Sequence, residues 1–194
     1  MSALALELRE RRDRLGLKGP RAAEWLAAQG IALPVTPNTW THSEGATHSE
    51  GAIAADALLV ARLGAAEFFL EDGGAGTTLE RISPSLDESL PGVYPVLRED
   101  WAFHLGGDEV HDVLAQVCNV NFAALSLASR PLIMTLMIGV AVLVVPQSAA
   151  GGGQGGATRR HYRIWCDPTF GPYLGESLGA VVIECGGRYT GVSG

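Results

Sequence analysis

Cysteine is scarce. Cys118, Cys166 and Cys185 are the only three in 194 residues, an odd number with no CxxC spacing among them. That pattern excludes a disulfide framework and the usual zinc sites, and it suits a reducing, cytoplasmic setting. Basic charge is also short. Fourteen Lys and Arg stand against 21 Asp and Glu, leaving a net charge of -7 and a pI near 5.2. A phosphate lattice rewards a basic face, so a nucleic-acid partner is not expected. Long apolar runs are missing too. The longest, "PLIMTLMIGVAVLVV" (Pro131 to Val145), falls short of the roughly 20 residues a membrane helix needs, and no membrane association is expected. The segment "MSALALELRERRDRLGL" is charged within its first ten residues and does not read as a signal peptide. No GxSxG, HExxH or GxGxxG occurs in its proper context.

What is present is a globular composition, 47% hydrophobic and 18% charged, long enough to bury a core as one domain over residues 1–194. The segment Pro131–Val145, rich in Val, Ile, Met and Thr, reads as a buried strand bent at Gly139.

One pattern occurs twice. "LKGPRAAEWLA" (Leu17 to Ala27) aligns without gaps on "LGGDEVHDVLA" (Leu105 to Ala115). Leu17 falls on Leu105, Gly19 on Gly107, and Leu26 on Leu114. Ala22, Trp25, Leu26 and Val110, Val113, Leu114 share the i, i+3, i+4 spacing of one helix face. Pro20 reads as the first helical position, with Asp108 and Glu109 in its place in the second copy, where acids suit the helix dipole. An extended stretch precedes each helix, and "WAFHL" puts Trp101, Phe103 and Leu105 on one side. Strands follow each helix: "ALLVARLGAAEFFLED" in the first copy, Ile133–Val145 and "HYRIWCD" in the second. The expectation is an α+β fold of two pseudo-repeated strand-helix-strand-strand halves, at about 15–72 and 96–178, joined by a polar linker near Asp72–Pro95. A last helix is expected from about Gly171 to Leu178.

Gly151–Gly156, five glycines in six positions, invites a phosphate-loop reading. Such a loop needs a helix behind it, whose first amides face the phosphate. Here Thr158, Arg159 and Arg160 lead into the alternating "HYRIW", so the run reads as a hairpin loop between strands. Arg159 and Arg160 are candidates for contact with an acidic partner. The duplicated "THSEGATHSEGA" (41–52) brings His42, Glu44, His48 and Glu50 together, but its small polar residues read as a tolerant surface loop rather than a metal site.

Candidate chemistry is thin. His104 is expected to face away from Trp101, Phe103 and Leu105, and His111 to lie off the apolar helix face. Both read as solvated, without the third ligand a metal needs. Cys118, closing a helix, reads as a small buried hydrophobe. Trp165, Phe170 and Tyr173 read as core or interface aromatics around a turn at Asp167-Pro168.

The ordered series "LGLKGPRAAEWLAAQG", "PNTW", "VARLGAAEFFLED", "GVYPVLREDWAFHLGG", "VLAQVCNVNF" and "YRIWCDPTFGPYLGESL" resembles the gamma subunit of heterotetrameric sarcosine oxidase. It also resembles the related fourth subunit of bacterial N-methylglutamate dehydrogenase, through "CNVNF" and "DPTFGPYL". The resemblance runs from about Leu15 to Leu178. It implies a fold similar to the folate-binding domain of the glycine-cleavage aminomethyltransferase. It also implies that FAD, FMN, NAD and folate belong to larger partner subunits and zinc to the smallest, with no catalytic, cofactor or metal residue on this chain.

Two readings follow. One is a non-catalytic accessory subunit of such an oxidoreductase. The other is a free-standing folate-binding or aminomethyl-transfer protein, for which Glu99 or Asp100 would grip the pterin; the chain is short for a complete aminomethyltransferase. An accessory subunit needs anchors that bury much area and keep a polar handle. Trp40, expected in a loop after Pro37-Asn38, and Tyr173, expected to begin the last helix, are the aromatic candidates.

Overall fold

The structure is a computed structural model that describes residues 4–9, 12–43, 57–73, 76–86, 90–149 and 159–191. The THSEGA duplication beyond Ser43 and the glycine run lie outside the described residues. In chain order the elements are β1 (Ala5–Leu8), β2 (Arg14–Lys18), α1 (Ala22–Ala28), β3 (Thr39–Ser43), β4 (Leu58–Gly64), β5 (Glu67–Glu71), α2 (Thr78–Ile82) and β6 (Tyr94–Val96). They continue with β7 (Trp101–Gly106), α3 (Val110–Val117), β8 (Ile133–Met137), β9 (Val140–Ala149), β10 (Arg159–Cys166), α4 (Gly171–Glu184) and β11 (Arg188–Thr190). The fold class is α+β, as the two sequence periods indicated. The chain forms two compact units, residues 12–99 and residues 1–11 with 100–194.

The first unit is a five-stranded sheet in the order β3-β4-β5-β2-β6. Its core joins Leu17, Leu58, Val60, Phe68 and Leu70 of the sheet to Ala22 and Leu26 of α1, with Trp25 packed at the edge. The second unit is a six-stranded sheet in the order β11-β1-β7-β10-β9-β8. There Leu6, Phe103, Leu105, Val142, Val144, Tyr162 and Ile164 meet Val110, Val113 and Leu114 of α3, and Leu174, Leu178 and Val182 of α4. Both predicted helix faces are the buried ones.

The pseudo-repeat holds and is richer than the sequence count. Each half runs strand-helix-strand-strand-strand, and the equivalent strands pair alike. Leu17 lies opposite Phe68, and its counterpart Leu105 lies opposite Tyr162. Gly19 and Gly107 close the first strand of each half at φ of 124° and 130°. A β-carbon on Gly19 would stand 2.4 Å from the Gly92 carbonyl oxygen, so this turn admits only glycine. Each helix begins later than the sequence suggested. Arg21 and Glu109 are the N-caps, and Pro20 and Asp108 sit in the preceding turn.

The extra strands correct two readings. Thr39–Ser43, taken with its flank as loop, is β3, paired with β4 so that Trp40 faces Ala61. Ile133–Val145 is not one bent strand but the hairpin β8–β9, in which Met137 pairs with Val140. Ile138 and Gly139, at φ of 48° and 81°, supply the two left-handed residues that a tight hairpin turn with the sheet's own twist demands. The linker near Asp72–Pro95 holds α2 and β6. The last helix runs to Glu184, past Gly179, because Gly171, Gly175 and Gly179 let the helix approach Trp101, Phe103 and Tyr189 more closely than a β-carbon would allow.

Candidate functional site

The second unit gathers most of the singled-out polar residues. On the helix-bearing face, Tyr162 of β10 is fully buried, and its hydroxyl lies 2.8 Å from His111 Nε2 on α3. Arg160, two residues along the same strand and so on the same face, donates from Nη1 to the Phe122 carbonyl at 2.8 Å. Burial depresses the His111 pKa, the Arg160 cation lowers it further, and Asp112 opposes both. Burial raises the Tyr162 pKa against the hydrogen bond and charge of Arg160. A neutral imidazole beside a protonated phenol assigns the bond: Tyr162 O–H donates to His111 Nε2. The network ties α3, β10 and the Phe122 turn together. His111 is therefore an engaged residue rather than a solvated one.

The opposite face of the sheet carries His104 and His161, with ring centroids 4.9 Å apart, edge to face. His161 Nε2 lies 3.0 Å from Gln147 Oε1 on β9. Burial, then the neighbouring His104, pushes the His161 pKa down to about 4. Burial and Arg9 lower that of His104, against Glu7. His104 faces away from Phe103 and Leu105 as expected, but it too is partly buried. Since His104 and His111 lie on opposite faces of the sheet, they cannot share an ion. Among the described residues, no group of three or more His, Cys, Asp and Glu side chains converges to hold one.

Cys118 caps α3, is 8% exposed, and has Thr135 Oγ1 3.6 Å from its sulfur, as a small buried side chain should. Burial, then Asp100 and Asp167, pushes the Cys166 thiol up to about 12, so it is not poised as a thiolate. Asp100 is half-buried and acts on that thiol; Glu99 is exposed.

The first unit has a buried ion pair that sequence reasoning missed. Arg14 Nε and Glu71 Oε2, on residues paired across β2 and β5, meet at 2.5 Å with both side chains buried. Asp72, next in the chain, accepts the Leu79 amide at 2.8 Å and so holds the start of α2. Burial raises its pKa, the Leu79 and Thr78 amides oppose, and Asp13 adds to the rise. The acidic "ED" after an apolar run hinted at a strand end, but not at an inward-facing carboxylate.

The candidate anchors separate. Trp40 is 9% exposed, with its ring edge-on to His42 at 5.2 Å. Arg160 is half-buried in the network above, and the side chain of Arg159 lies outside what the structure describes. Tyr173 is 52% exposed on the first turn of α4, three residues from Phe170 at 49%. Both aromatics are exposed at the place the sequence singled out. Met134 and Leu136 of β8 are also exposed, hidden in the sequence inside a run that looked wholly buried.

No protein-family model and no curated protein sequence matches the chain. Solved structures do. The chain is similar to the glycine cleavage system aminomethyltransferase T of Bartonella henselae, with a TM-score of 0.66 and 18% identity over 98% of this chain. It spans 48% of that protein, about half its length. It is also similar to a chain of the heterotetrameric sarcosine oxidase of Corynebacterium sp. U-96, solved with pyrrole 2-carboxylate. There the TM-score is 0.65 and the identity 19%, over 96% of this chain and 87% of that one. The α+β fold is thus the one these two proteins share, as the sequence resemblance implied.

Proposed function

We propose that this chain is a non-catalytic accessory subunit of a multisubunit, flavin-dependent oxidoreductase acting on N-methyl amino acids, of the sarcosine oxidase or N-methylglutamate dehydrogenase type. The extent of the structural match to a sarcosine oxidase chain supports the reading. The chain spans 87% of a heterotetrameric sarcosine oxidase chain but 48% of an aminomethyltransferase. FAD, FMN, NAD, folate and zinc belong, on this reading, to partner subunits in a cytoplasmic complex. Among the described residues, no helix is long and apolar enough to cross a membrane. Tyr173, exposed beside Phe170, is the anchor the geometry favours. Trp40 packs beneath the surface, and Arg160 positions a turn.

The test is co-expression of the full chain with the flavin-bearing chains of a sarcosine oxidase or N-methylglutamate dehydrogenase. A complex that co-purifies, is yellow and oxidises sarcosine or N-methylglutamate is the expected result, with the isolated chain colourless. Tyr173→Ala is expected to weaken assembly by about 2 kcal/mol, the scale of an aromatic hot spot, with the subunit still folded. Stoichiometric flavin on the isolated chain would overturn the reading. Tight tetrahydrofolate binding with aminomethyl transfer by the chain alone would replace it with the free-standing alternative.

A further inference from the structure

β8 ends the six-stranded sheet, and among the described residues no strand pairs with its outer side. A free edge is a template for another chain, and folded proteins blunt such edges with charge, proline or a bulge. β8 has none of these. Its sequence, Ile133 to Met137, is uncharged and its register with β9 is regular. No Asp, Glu, Lys or Arg occurs between Arg130 and Arg159. The hairpin turn fixes which groups face outward. Met137 and Val140 flank a two-residue turn, so they bond each other, and Thr135 and Ile133 likewise bond toward β9. The main-chain N–H and C=O of Met134 and Leu136 therefore point out of the sheet. Their side chains are 54% and 59% exposed, on the face away from the helices.

We propose that β8 is a self-association edge. Two copies of this chain join antiparallel about Thr135, and their sheets become continuous. The strand reads alike in both directions. Met134 falls opposite the partner copy's Leu136 and exchanges main-chain hydrogen bonds with it, while Ile133 falls opposite Met137 and Thr135 opposite itself. Charge favours a second copy as the occupant. A chain of net charge -7 repels itself over most of its surface, and this hairpin presents no carboxylate to its twin. A basic partner strand finds no counter-charge here. The contact is small, so the dimer is weak and concentration-dependent. The inference does not depend on the proposed function, because neither Met134 nor Leu136 enters it.

Sedimentation of the full chain over a wide concentration range reads the dimer. Amide exchange at Met134 and Leu136, protected at high concentration and released on dilution, reads its location. Met134→Lys/Leu136→Lys changes only exposed side chains and is expected to weaken the dimer about tenfold or more, with the circular dichroism unchanged. A chain that is monomeric throughout overturns the proposal. So does a dimer that survives the double substitution, or protection of these amides that arises only when a different protein is added.

Discussion

Gly171→Ala probes the approach of α4 to its sheet. A β-carbon built there would stand 2.2 Å from Trp101 Cδ2, 2.4 Å from Cγ and 2.8 Å from Cε2. Carbon atoms sit in contact at about 3.5–4.0 Å, so the overlap exceeds an ångström. Cγ and Cδ2 lie close to the Trp101 main chain, so the indole cannot simply swing its far end aside. It also leans on Phe103, with ring centroids 6.3 Å apart. Overpacking of this kind costs about 1–3 kcal/mol. Alanine returns at most about 1 kcal/mol of helix propensity, and less in the first turn. The net loss is about 1–2 kcal/mol, or roughly 2–8 °C in Tm for a chain of this size. Urea and thermal unfolding, followed by circular dichroism, measure it. In a Trp101→Leu background the clash is gone, and the same substitution is expected to become neutral or mildly stabilising. A Gly171→Ala protein as stable as the parent, in the parent background, would refute the steric account.

Tyr162→Phe strips the hydroxyl from His111 and is expected to cost about 1–2 kcal/mol, read by urea unfolding; an unchanged midpoint would mean the network is idle. Acid stability follows the histidines. His161 has a folded pKa near 4 against an ordinary value near 6.5, so the unfolded chain binds the proton first, and stability present above about 6.5 is lost as pH falls toward 4. His104 and His111 shift the same way, and Asp72, whose pKa is raised, works in the opposite sense. His161→Gln should flatten that limb of a Tm-against-pH curve, and an identical slope would count against the assignment. Deleting one THSEGA unit should leave Tm nearly unchanged, since loop-closure entropy varies slowly with length; a large drop would show the segment packed or ligated.

Much of this was legible from period and spacing. The two helix faces follow from local rules, because each buries one side against one sheet, and the strand "EFFLE" follows from a short apolar run that is buried on both faces. What was illegible depends on distant partners. "TWTHS" carries no strong alternation and becomes β3 because β4 offers it an edge. Ile138 is a poor turn residue by propensity, so the hairpin inside the apolar run was masked, and with it the outward face of Met134 and Leu136. The His111–Tyr162 and Arg14–Glu71 contacts join residues 51 and 57 positions apart, which no spacing within one element reveals.

The strand order also shows an exchange between the halves that bears on the N-terminal segment. β1 precedes β2 in the chain, yet it pairs with β7 of the other half. β6 precedes β7, yet it pairs with β2. Each repeat thus completes its sheet with the strand that introduces the other repeat, and the second unit is discontinuous in sequence. β1 is moreover central to its neighbourhood, with β7 on one side and the parallel β11 on the other. Leu4 and Leu6 place their side chains in the core, at 2% and 0% exposure. A leucine cut back to alanine in such a site costs about 2–5 kcal/mol, and a whole domain holds only about 5–15. Removing residues 1–9 takes both leucines, unpairs one edge of β7 and leaves β11 with no paired strand among the described residues. The truncated chain is expected to lose its cooperative thermal transition, while Leu6→Ala, which keeps the strand, melts cooperatively at a lower temperature. A peptide of residues 1–11 added to the truncated chain should restore the transition by refilling the gap. A truncated chain that melts at the parent temperature would show that β1 contributes nothing to the sheet it joins.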